Sequence, residues 1–275
     1  MNRHPPFPSG LPNSPDNKEK ERIIEVENLV VQYPGNPEPT LKGIDFHVYS
    51  GEIMVIMGGS GSGKSTLLRQ LIALDKPNSG SIRLFGKNIV KIPPLDLHDL
   101  RLRMGVAFQG GAMFNSMTVG ENLLLPLREH LNLAEAQMEI MSRMKLSFVN
   151  LDMSTLDKMP SELSGGMLKR AALARAIVMD PLLLFCDEPS AGLDPAVSAA
   201  IDDLIIKLRD ALNMTIVVVT HERTSAFKIA DRITILDRGE ILKVGTLDEL
   251  QNSKNQRVQD LLIGNAENVD VNAWL

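Results

Sequence analysis

The chain has 275 residues, of which 44% are hydrophobic and 23% are charged, and its formal net charge is −5 at pH 7. This composition is ordinary for a globular protein and supplies enough apolar residues for a core of substantial size, as one large α/β unit would need. The acidic balance leaves no basic footprint, so nucleic acid is not an expected partner.

The first 22 residues are rich in proline, serine, asparagine and charge. They lack the apolar stretch of a signal peptide, so we expect a disordered leader. No stretch of the chain reaches the roughly 18 apolar residues that a spanning helix needs. The longest apolar region, residues 171–186, is interrupted by Arg175 and Asp180. We therefore expect that the chain does not cross a membrane unaided.

Residues 23–58 have the pattern of three short strands separated by proline and glycine. A helix should follow the third strand, from Lys64 to about Ala73. Residues 79–89 predict another pair of strands around Gly86.

Residues 115–180 differ in character, with leucine and methionine at helical spacing and few β-branched residues. They predict a helical segment. Within it, Met138, Met141 and Met144 recur every three residues, which is typical of a helix face packed on the core. A methionine-lined groove for a partner helix is the alternative.

Apolar strands and an amphipathic helix alternate in the second half of the chain. The strand patterns 182–188 and 215–221 flank the helical pattern 196–212. This alternation predicts a parallel sheet that is buried on both faces. The only cysteine, Cys186, lies in the first of these strands, and we interpret it as a small buried hydrophobe rather than a reactive thiol. A single cysteine excludes an internal disulfide and fits a reducing compartment.

A glycine-rich segment after the third predicted strand has the pattern G-x-x-x-x-G-K-[ST] of a phosphate-binding loop. It comprises Gly58, Gly59, Ser60, Gly61, Ser62, Gly63, Lys64, Ser65 and Thr66. Glycines let the backbone close around a phosphate with its N–H groups inward, and the following helix start adds partial positive charge. Lys64 would reach the β- and γ-phosphates of a nucleotide, and Ser65 would ligate Mg²⁺. A merely flexible loop is the alternative, but the flanking strand and helix favour the phosphate loop.

The strand that contains Cys186 ends in two adjacent carboxylates, Asp187 and Glu188. Burial of such a pair is unfavourable unless a cation meets it, and nucleotide-bound Mg²⁺ is the obvious one. We expect Asp187 to support the metal and Glu188 to orient or deprotonate the water that attacks the γ-phosphate. A helix cap before Pro189 is the alternative.

The order of these motifs resembles that of the ATPase subunits of ABC (ATP-binding cassette) transporters over residues 24–250. The most specific mark is Leu163-Ser164-Gly165-Gly166-Met167, which is similar to the family signature LSGGQ. Ser164 would cap a helix, and Gly165 and Gly166 would let a phosphate approach the N–H groups of that helix. A simple cap is the alternative. The resemblance implies that the motif binds the γ-phosphate held by the phosphate loop of a second copy, so that two ATP molecules are sandwiched in a head-to-tail dimer.

Further residues acquire roles only through this resemblance. Tyr33 stands where the family stacks an aromatic ring on adenine, with an ordinary strand aromatic as the alternative. Gln109 matches the glutamine that contacts Mg²⁺ and the attacking water and moves with the membrane partner. Asp194 belongs to the loop that crosses the dimer interface, and His221 matches the switch histidine that contacts the γ-phosphate. The other histidines match nothing and are expected on the surface: His4, His47, His98 and His130.

The resemblance also implies the fold class, an α/β ABC ATPase fold. It has a P-loop (RecA-like) parallel-sheet core, an antiparallel β subdomain, and a helical subdomain inserted at about residues 110–180. The expected domains are a leader at 1–22, the ATPase domain at 23–250 and a C-terminal extension at 251–275. Trp274 lies in that extension, and both a frayed terminus and an anchor on a neighbouring subunit remain open.

Residues 108–130 and 162–177 resemble the ATPase of the maintenance-of-lipid-asymmetry systems, which move phospholipid between the two membranes of a diderm cell. The implied partners are a second copy, an integral membrane permease and a lipid-binding protein of the mammalian-cell-entry (MCE) type. The implied location is the cytoplasmic face of the inner membrane, through the permease. Met167 replaces the usual signature glutamine, which leaves in doubt any contact that the glutamine side chain would make.

Three other functions remain as alternatives. The chain could serve a transporter with a different substrate. A soluble ABC protein acting on nucleic acid or ribosomes is disfavoured by the single cassette and the acidic balance. A nucleotide switch without hydrolysis is disfavoured by the presence of both Glu188 and His221.

Overall fold

Two β-sheets and a set of surrounding helices form the fold in the computed structural model, which describes residues 21–263. Most of the expected leader and Trp274 lie outside that range. In chain order the elements are β1 (Arg22–Val31), β2 (Leu41–Tyr49), β3 (Ile53–Met57), α1 (Lys64–Leu71), β4 (Ser79–Leu84), β5 (Lys87–Asn88), α2 (Pro94–Arg101), β6 (Met104–Ala107), α3 (Val119–His130), α4 (Glu135–Phe148), α5 (Gly165–Ala176), β7 (Leu183–Asp187), α6 (Pro195–Leu212), β8 (Thr215–Thr220), α7 (Arg223–Ile229), β9 (Arg232–Asp237), β10 (Glu240–Gly245), α8 (Leu247–Gln251) and α9 (Gln256–Ile263). Two short 3-10 helices, Met153–Asp157 and Pro160–Glu162, precede α5.

The larger sheet has six strands in the order β10-β9-β3-β8-β7-β6. All of its strand pairs are parallel except β10 with β9. The central strands β3 and β8 are buried along their whole length, which matches their continuous apolar sequences. The predicted α/β fold with a parallel core is therefore confirmed.

The smaller sheet is antiparallel, in the order β2-β1-β4-β5. Its last two strands turn at Gly86, whose φ of 76° lies in the left-handed region that favours glycine. The predicted strand pair at residues 79–89 is therefore present. The first predicted helix ends sooner than expected, at Leu71, because Ala73 has a φ of 56° and leaves the helical conformation.

Helices α3, α4 and α5 lie in the chain between β6 and β7. Met138 on α4 is buried and Met141 packs partly buried against the core, but Met144 is 62% exposed. The expectation that all three methionines form a core face is therefore wrong at Met144. Three residues advance a helix by about 300°, so the face rotates by about 60° per step and leaves the core after two steps.

Apolar side chains cover both faces of the six-stranded sheet. Along β7, Phe185 packs into the cluster shared with the smaller sheet, whereas Cys186 packs into the cluster shared with the helices. Burial raises the pKa of the Cys186 thiol to about 12, so the thiol is neutral and inert at physiological pH. The interpretation of Cys186 as a buried hydrophobe is confirmed. Among the described residues, no helix is both long and apolar enough to span a bilayer.

We expect Phe185→Ala to lower the free energy of unfolding by about 3–5 kcal/mol, because a fully buried aromatic ring leaves a cavity when it is truncated. Urea denaturation followed by circular dichroism measures this loss. Leu182→Ala is the matched control, since Leu182 adjoins the same strand but is 50% exposed. Equal losses in the two variants would contradict this account of the core.

Candidate active site

Three predicted segments meet at the carboxyl edge of the parallel sheet. The register pairs Met57 with Thr220 and Asp187 with Val219, so β3, β8 and β7 end side by side. The segments that follow these strands carry the phosphate loop, Glu188 and His221. Ligands of open α/β sheets bind at this edge, and the six-stranded sheet thus brings the predicted groups to one place.

The loop between β3 and α1 requires glycine at two positions. A Cβ atom on Gly58 would lie 2.1 Å from the carbonyl oxygen of Leu236, and Gly63 has a φ of 106°. The Lys64 ammonium donates hydrogen bonds to the carbonyl oxygens of Gly58 and Gly59, at 2.8 and 2.9 Å. The Ser62 hydroxyl is buried without a partner among the described residues. A cradle of small residues with an ammonium across it and an unpaired hydroxyl fits a phosphate group.

The remaining loop residues frame this cradle. Ser65 is exposed at the start of α1 and Thr66 is partly buried, while Ser60 and Gly61 are exposed. Burial lowers the pKa of Lys64, and the nearby charges of Glu188 and Asp187 oppose that shift. The loop lysine and the two carboxylates are therefore electrostatic partners at the carboxyl edge of the sheet, where β3 and β7 flank β8.

Glu188 is fixed in an unusual conformation directly after β7. Its φ is 46°, which is uncommon for a residue with a side chain. Its N–H donates to the Val219 carbonyl at 2.8 Å, and its carboxylate accepts a hydrogen bond from the Thr220 hydroxyl at 3.1 Å. The second carboxylate oxygen lies 2.7 Å from Nδ1 of His221. The structure thus brings Glu188 and His221 into direct contact.

Asp187 lies half-buried beside Glu188. Burial raises the pKa of the Asp187 carboxyl, and the Glu188 charge raises it further, whereas Lys169 and Lys64 lower it. The carboxylate pair therefore depends on cations nearby, as the sequence argument required. One of these cations, Lys169, was not found from the sequence. Thr220 was missed as well, although its place before His221 at a strand end was a signal for it.

Gln109 is exposed just after β6, at the start of a loop tied to α5. The Lys169 ammonium donates to the Gln109 carbonyl oxygen. The Arg175 guanidinium donates to the carbonyls of Gly111 and Ala112, at 3.0 and 2.8 Å. The loop that carries Gln109 is therefore anchored to α5, the helix that begins at the signature motif.

Ser164 caps α5, because its hydroxyl accepts a hydrogen bond from the Met167 N–H at 3.3 Å. Gly166 lies close to α6, and a Cβ atom there would lie 2.6 Å from a methyl group of Val197. Asp194 caps α6 by accepting hydrogen bonds from the N–H groups of Ala196 and Val197, both at 3.1 Å. The predicted helix cap at Ser164 is therefore present, and exposed N–H groups at a helix start also suit an anion.

These two helix starts line an open groove of about 480 Å³. Its described lining comprises Ser164, Gly165, Gly166, Met167, Arg170, Gly192, Leu193, Asp194 and Val197. No residue of the phosphate loop belongs to that lining. This groove, which we call the signature groove, and the phosphate loop therefore share no lining residue within one copy, as far as the described residues extend.

Tyr33 lies beyond the end of β1 and is 37% exposed. Its hydroxyl lies 3.4 Å from Asp75, which also pairs with Arg69 of α1. Tyr33 therefore lies just outside β1, and its ring is accessible near α1, the helix that follows the phosphate loop. His98 and His130 are exposed as expected, whereas His47 is partly buried and lies 2.9 Å from the Tyr49 hydroxyl.

Comparison with known proteins identifies relatives of this chain. The ABC transporter family matches residues 41–191. The chain is 38% identical over 247 residues to the "Intermembrane phospholipid transport system ATP-binding protein MlaF" of Haemophilus influenzae, covering 90% of this chain and 92% of that protein. It is also 38% identical to the "Probable ribonucleotide transport ATP-binding protein mkl" of Mycobacterium leprae, covering 88% of this chain and 69% of that protein.

Among solved structures, the chain is similar to the dimeric structure of a post-hydrolysis state of the ATP-binding cassette MJ0796 bound to ADP and Pi. The TM-score is 0.75 at 30% sequence identity, covering 82% of this chain and 98% of that one. The fold described above is therefore shared with that cassette, which was solved as a dimer with ADP and Pi.

We expect Thr220→Val to lower the ATP turnover number about tenfold, because one hydrogen bond to a charged group contributes about 1.5 kcal/mol and about 1.4 kcal/mol is tenfold in rate. Steady-state phosphate release measures it. Thr215→Val is the control, since Thr215 begins the same strand and its hydroxyl only accepts the Gly51 N–H, at 2.9 Å. Equal turnover in both variants would show that Thr220 does not orient Glu188.

Proposed function

This chain belongs to the ABC transporter family, and we propose that, as the ATP-hydrolysing subunit of a transporter, it drives phospholipid movement through a separate membrane permease. ATP binding and hydrolysis follow from the family and from the cassette relatives. The similarity to MlaF over 90% of the chain supports phospholipid as the cargo. The observation that carries the hydrolytic part of the proposal is the contact of Glu188 with His221 at the sheet edge that also carries the phosphate loop, whereas the cargo rests on the similarity to MlaF.

We assign the first step to the phosphate loop. The backbone N–H groups of residues 58–63 and the Lys64 ammonium would hold the β- and γ-phosphates of ATP. On binding, the ammonium would exchange the Gly58 and Gly59 carbonyls for phosphate oxygens. Tyr33 would stack on the adenine ring, since its ring is exposed near α1.

Hydrolysis would depend on Glu188. Its carboxylate, held by Thr220 and His221, would orient the attacking water and accept its proton. His221 would contact the γ-phosphate once the nucleotide is bound. Mg²⁺, when bound, would neutralise charge on the β- and γ-phosphates. Ser65, Gln109 and Asp187 would hold it with the phosphates, which fits a cation that is usually bound by few protein oxygens together with its substrate.

The separation of the signature groove from the phosphate loop supports a shared site. Ser164, Gly165 and Gly166 present a helix start with exposed N–H groups, and Asp194 lies in the same groove. In a head-to-tail dimer, this groove would face the γ-phosphate on the loop of the second copy. A dimeric cassette relative supports that arrangement. Closure of the dimer would then depend on ATP, and hydrolysis would reopen it.

The membrane permease would supply the path for the lipid, and an MCE-type lipid-binding protein would complete the assembly. This chain would then lie at the cytoplasmic face of the inner membrane through its permease. Exposed apolar side chains on α4, Ile140 at 59% and Met144 at 62%, line an open groove of about 750 Å³. These residues support the partner-helix alternative for the methionine pattern. Nucleic acid is not among the proposed partners.

A transporter ATPase for another cargo is the second candidate. The similarity to the mycobacterial protein of probable ribonucleotide transport favours it, since the identity equals that of the H. influenzae relative. The two relatives differ in the share of their length that this chain covers, which is 92% for the H. influenzae protein and 69% for the M. leprae protein.

Isolation of the chain from detergent-solubilised membranes tests the cargo. We expect an integral permease and an MCE-type protein to co-purify with the chain, and mass spectrometry of the extract to detect bound phospholipid. A lysate of cells with the permease deleted is the control for non-specific capture. Co-purification of a permease without an MCE-type protein and without lipid would contradict the phospholipid proposal and leave the second candidate.

We expect Glu188→Gln to retain ATP binding, because the amide keeps the shape and the acceptor that contacts Thr220. Turnover should fall roughly 10²- to 10⁴-fold, the contribution of a positioned general base. Dimers should accumulate with ATP and Mg²⁺, as measured by light scattering after size exclusion.

Lys64→Ala is the contrasting control. It removes the ammonium from the loop and should weaken nucleotide binding itself, which equilibrium titration with a fluorescent ATP analogue measures. Undiminished hydrolysis in Glu188→Gln would contradict the role given to that carboxylate.

A further inference from the structure

Lys169 connects three segments of the active site through a single ammonium. It lies on α5, five residues after the helix cap at Ser164. Its Nζ donates a hydrogen bond to the main-chain carbonyl of Gln109 and another, at 3.0 Å, to the main-chain carbonyl of Glu188. The ammonium of Lys169 on α5 therefore connects the loop that carries Gln109 to the residue that follows β7.

The positive charge of Lys169 lies close to the carboxylates of Asp187 and Glu188. Burial lowers the pKa of the Lys169 ammonium, and the charges of Asp187 and Glu188 oppose that shift. Lys64 is the other nearby cation, but its ammonium donates to the carbonyls of the phosphate loop. Lys169 thus approaches Asp187 and Glu188 from α5. Its ammonium donates hydrogen bonds to main-chain carbonyls rather than to the two carboxylates.

The hydrogen bond from Lys169 helps to hold the strained backbone of Glu188. A residue with a φ of 46° keeps that conformation only where its surroundings fix it. The Glu188 N–H is held by the Val219 carbonyl. Its carbonyl oxygen is held by Lys169, with a longer bond of 3.3 Å from the Ala191 N–H. Lys169 therefore supplies the stronger of the two restraints on that carbonyl.

We propose that Lys169 is a positioning residue for ATP hydrolysis, which ties the main chain of Gln109 to that of Glu188 and so fixes the distance between these two groups. This inference rests on the roles proposed above for Gln109 and Glu188. Because Lys169 lies on the helix that Ser164 caps, its ammonium also links the signature motif of one copy to the main chain of Glu188 in that same copy. A shift of α5 would move both carbonyls together.

Substitution of Lys169 in the full-length chain tests the proposal. Methionine keeps an unbranched side chain that is one atom shorter than lysine, and it removes the donors and the charge. We expect Lys169→Met to lower kcat about 10- to 100-fold, since small misplacement of reacting groups has effects of that size. The KM for ATP and the affinity for a fluorescent ATP analogue should stay within about twofold, because Lys169 touches no part of the phosphate loop.

Two further variants separate positioning from general stability. Lys169→Arg keeps charge and donors and should recover most of kcat. Lys228→Met is the matched control, because the Lys228 ammonium likewise donates to a main-chain carbonyl, that of Ala199, and its ion pair is with Asp203 rather than with Asp187 or Glu188. It should leave kcat unchanged. Amide hydrogen exchange at residues 188–191 should be faster in Lys169→Met and unchanged in Lys228→Met.

The outcomes distinguish this proposal from the one it rests on. If Glu188→Gln loses turnover while Lys169→Met keeps the wild-type kcat, the inference about Lys169 is wrong and the proposed function stands. If KM rises in proportion to the loss of kcat, or if Arg recovers nothing, Lys169 is not a positioning residue. If Lys169→Met does not fold, Lys169→Gln, which keeps two donors without the charge, replaces it with the same expected split between kcat and KM.

Discussion

Two adjacent carboxylates at the end of a buried strand are the constraint on which this structure depends. Asp187 and Glu188 lie at the edge of the sheet where β3, β7 and β8 end together, and burial raises the pKa of the Asp187 carboxyl. Cations and donors therefore have to converge on them from other elements. The phosphate loop supplies Lys64, the signature helix supplies Lys169, and the end of β8 supplies a hydroxyl and an imidazole. In the proposed mechanism, ATP hydrolysis would use the same groups, because they would hold the carboxylate of Glu188 as it accepts a proton.

The active site is divided between two regions of the chain. The phosphate loop lies at the carboxyl edge of the sheet. Ser164 and Asp194 cap the helices α5 and α6, whose first residues line the signature groove. In the proposed dimer a second copy would complete this site, and a cassette relative with a similar fold was solved as a dimer. The bonds from α5 to the loop after β6 give the divided site an internal connection, because the helix that starts at Ser164 also anchors the segment that carries Gln109.

The sequence predicted what depends on local pattern. The parallel core, the phosphate loop and the carboxylate pair follow from apolar runs, glycine spacing and strand ends that lie within a few residues of each other. The contacts of Lys169 did not follow, because its two acceptors lie 60 and 19 residues away in the chain. The exposure of Met144 was missed because a three-residue spacing drifts around the helix. The place of Tyr33 beyond β1 depends on where the strand ends, which sequence patterns predict poorly.

The arrangement of the nucleotide between two copies is the central claim, and a structure of the Glu188→Gln chain with ATP and Mg²⁺ tests it most directly. We expect two nucleotides per dimer. Each γ-phosphate should lie within hydrogen-bonding distance of Lys64 from one copy and of Ser164 or the Gly166 N–H from the other. A nucleotide bound by the phosphate loop of one copy, with Ser164 of every copy far from any γ-phosphate, would contradict the account.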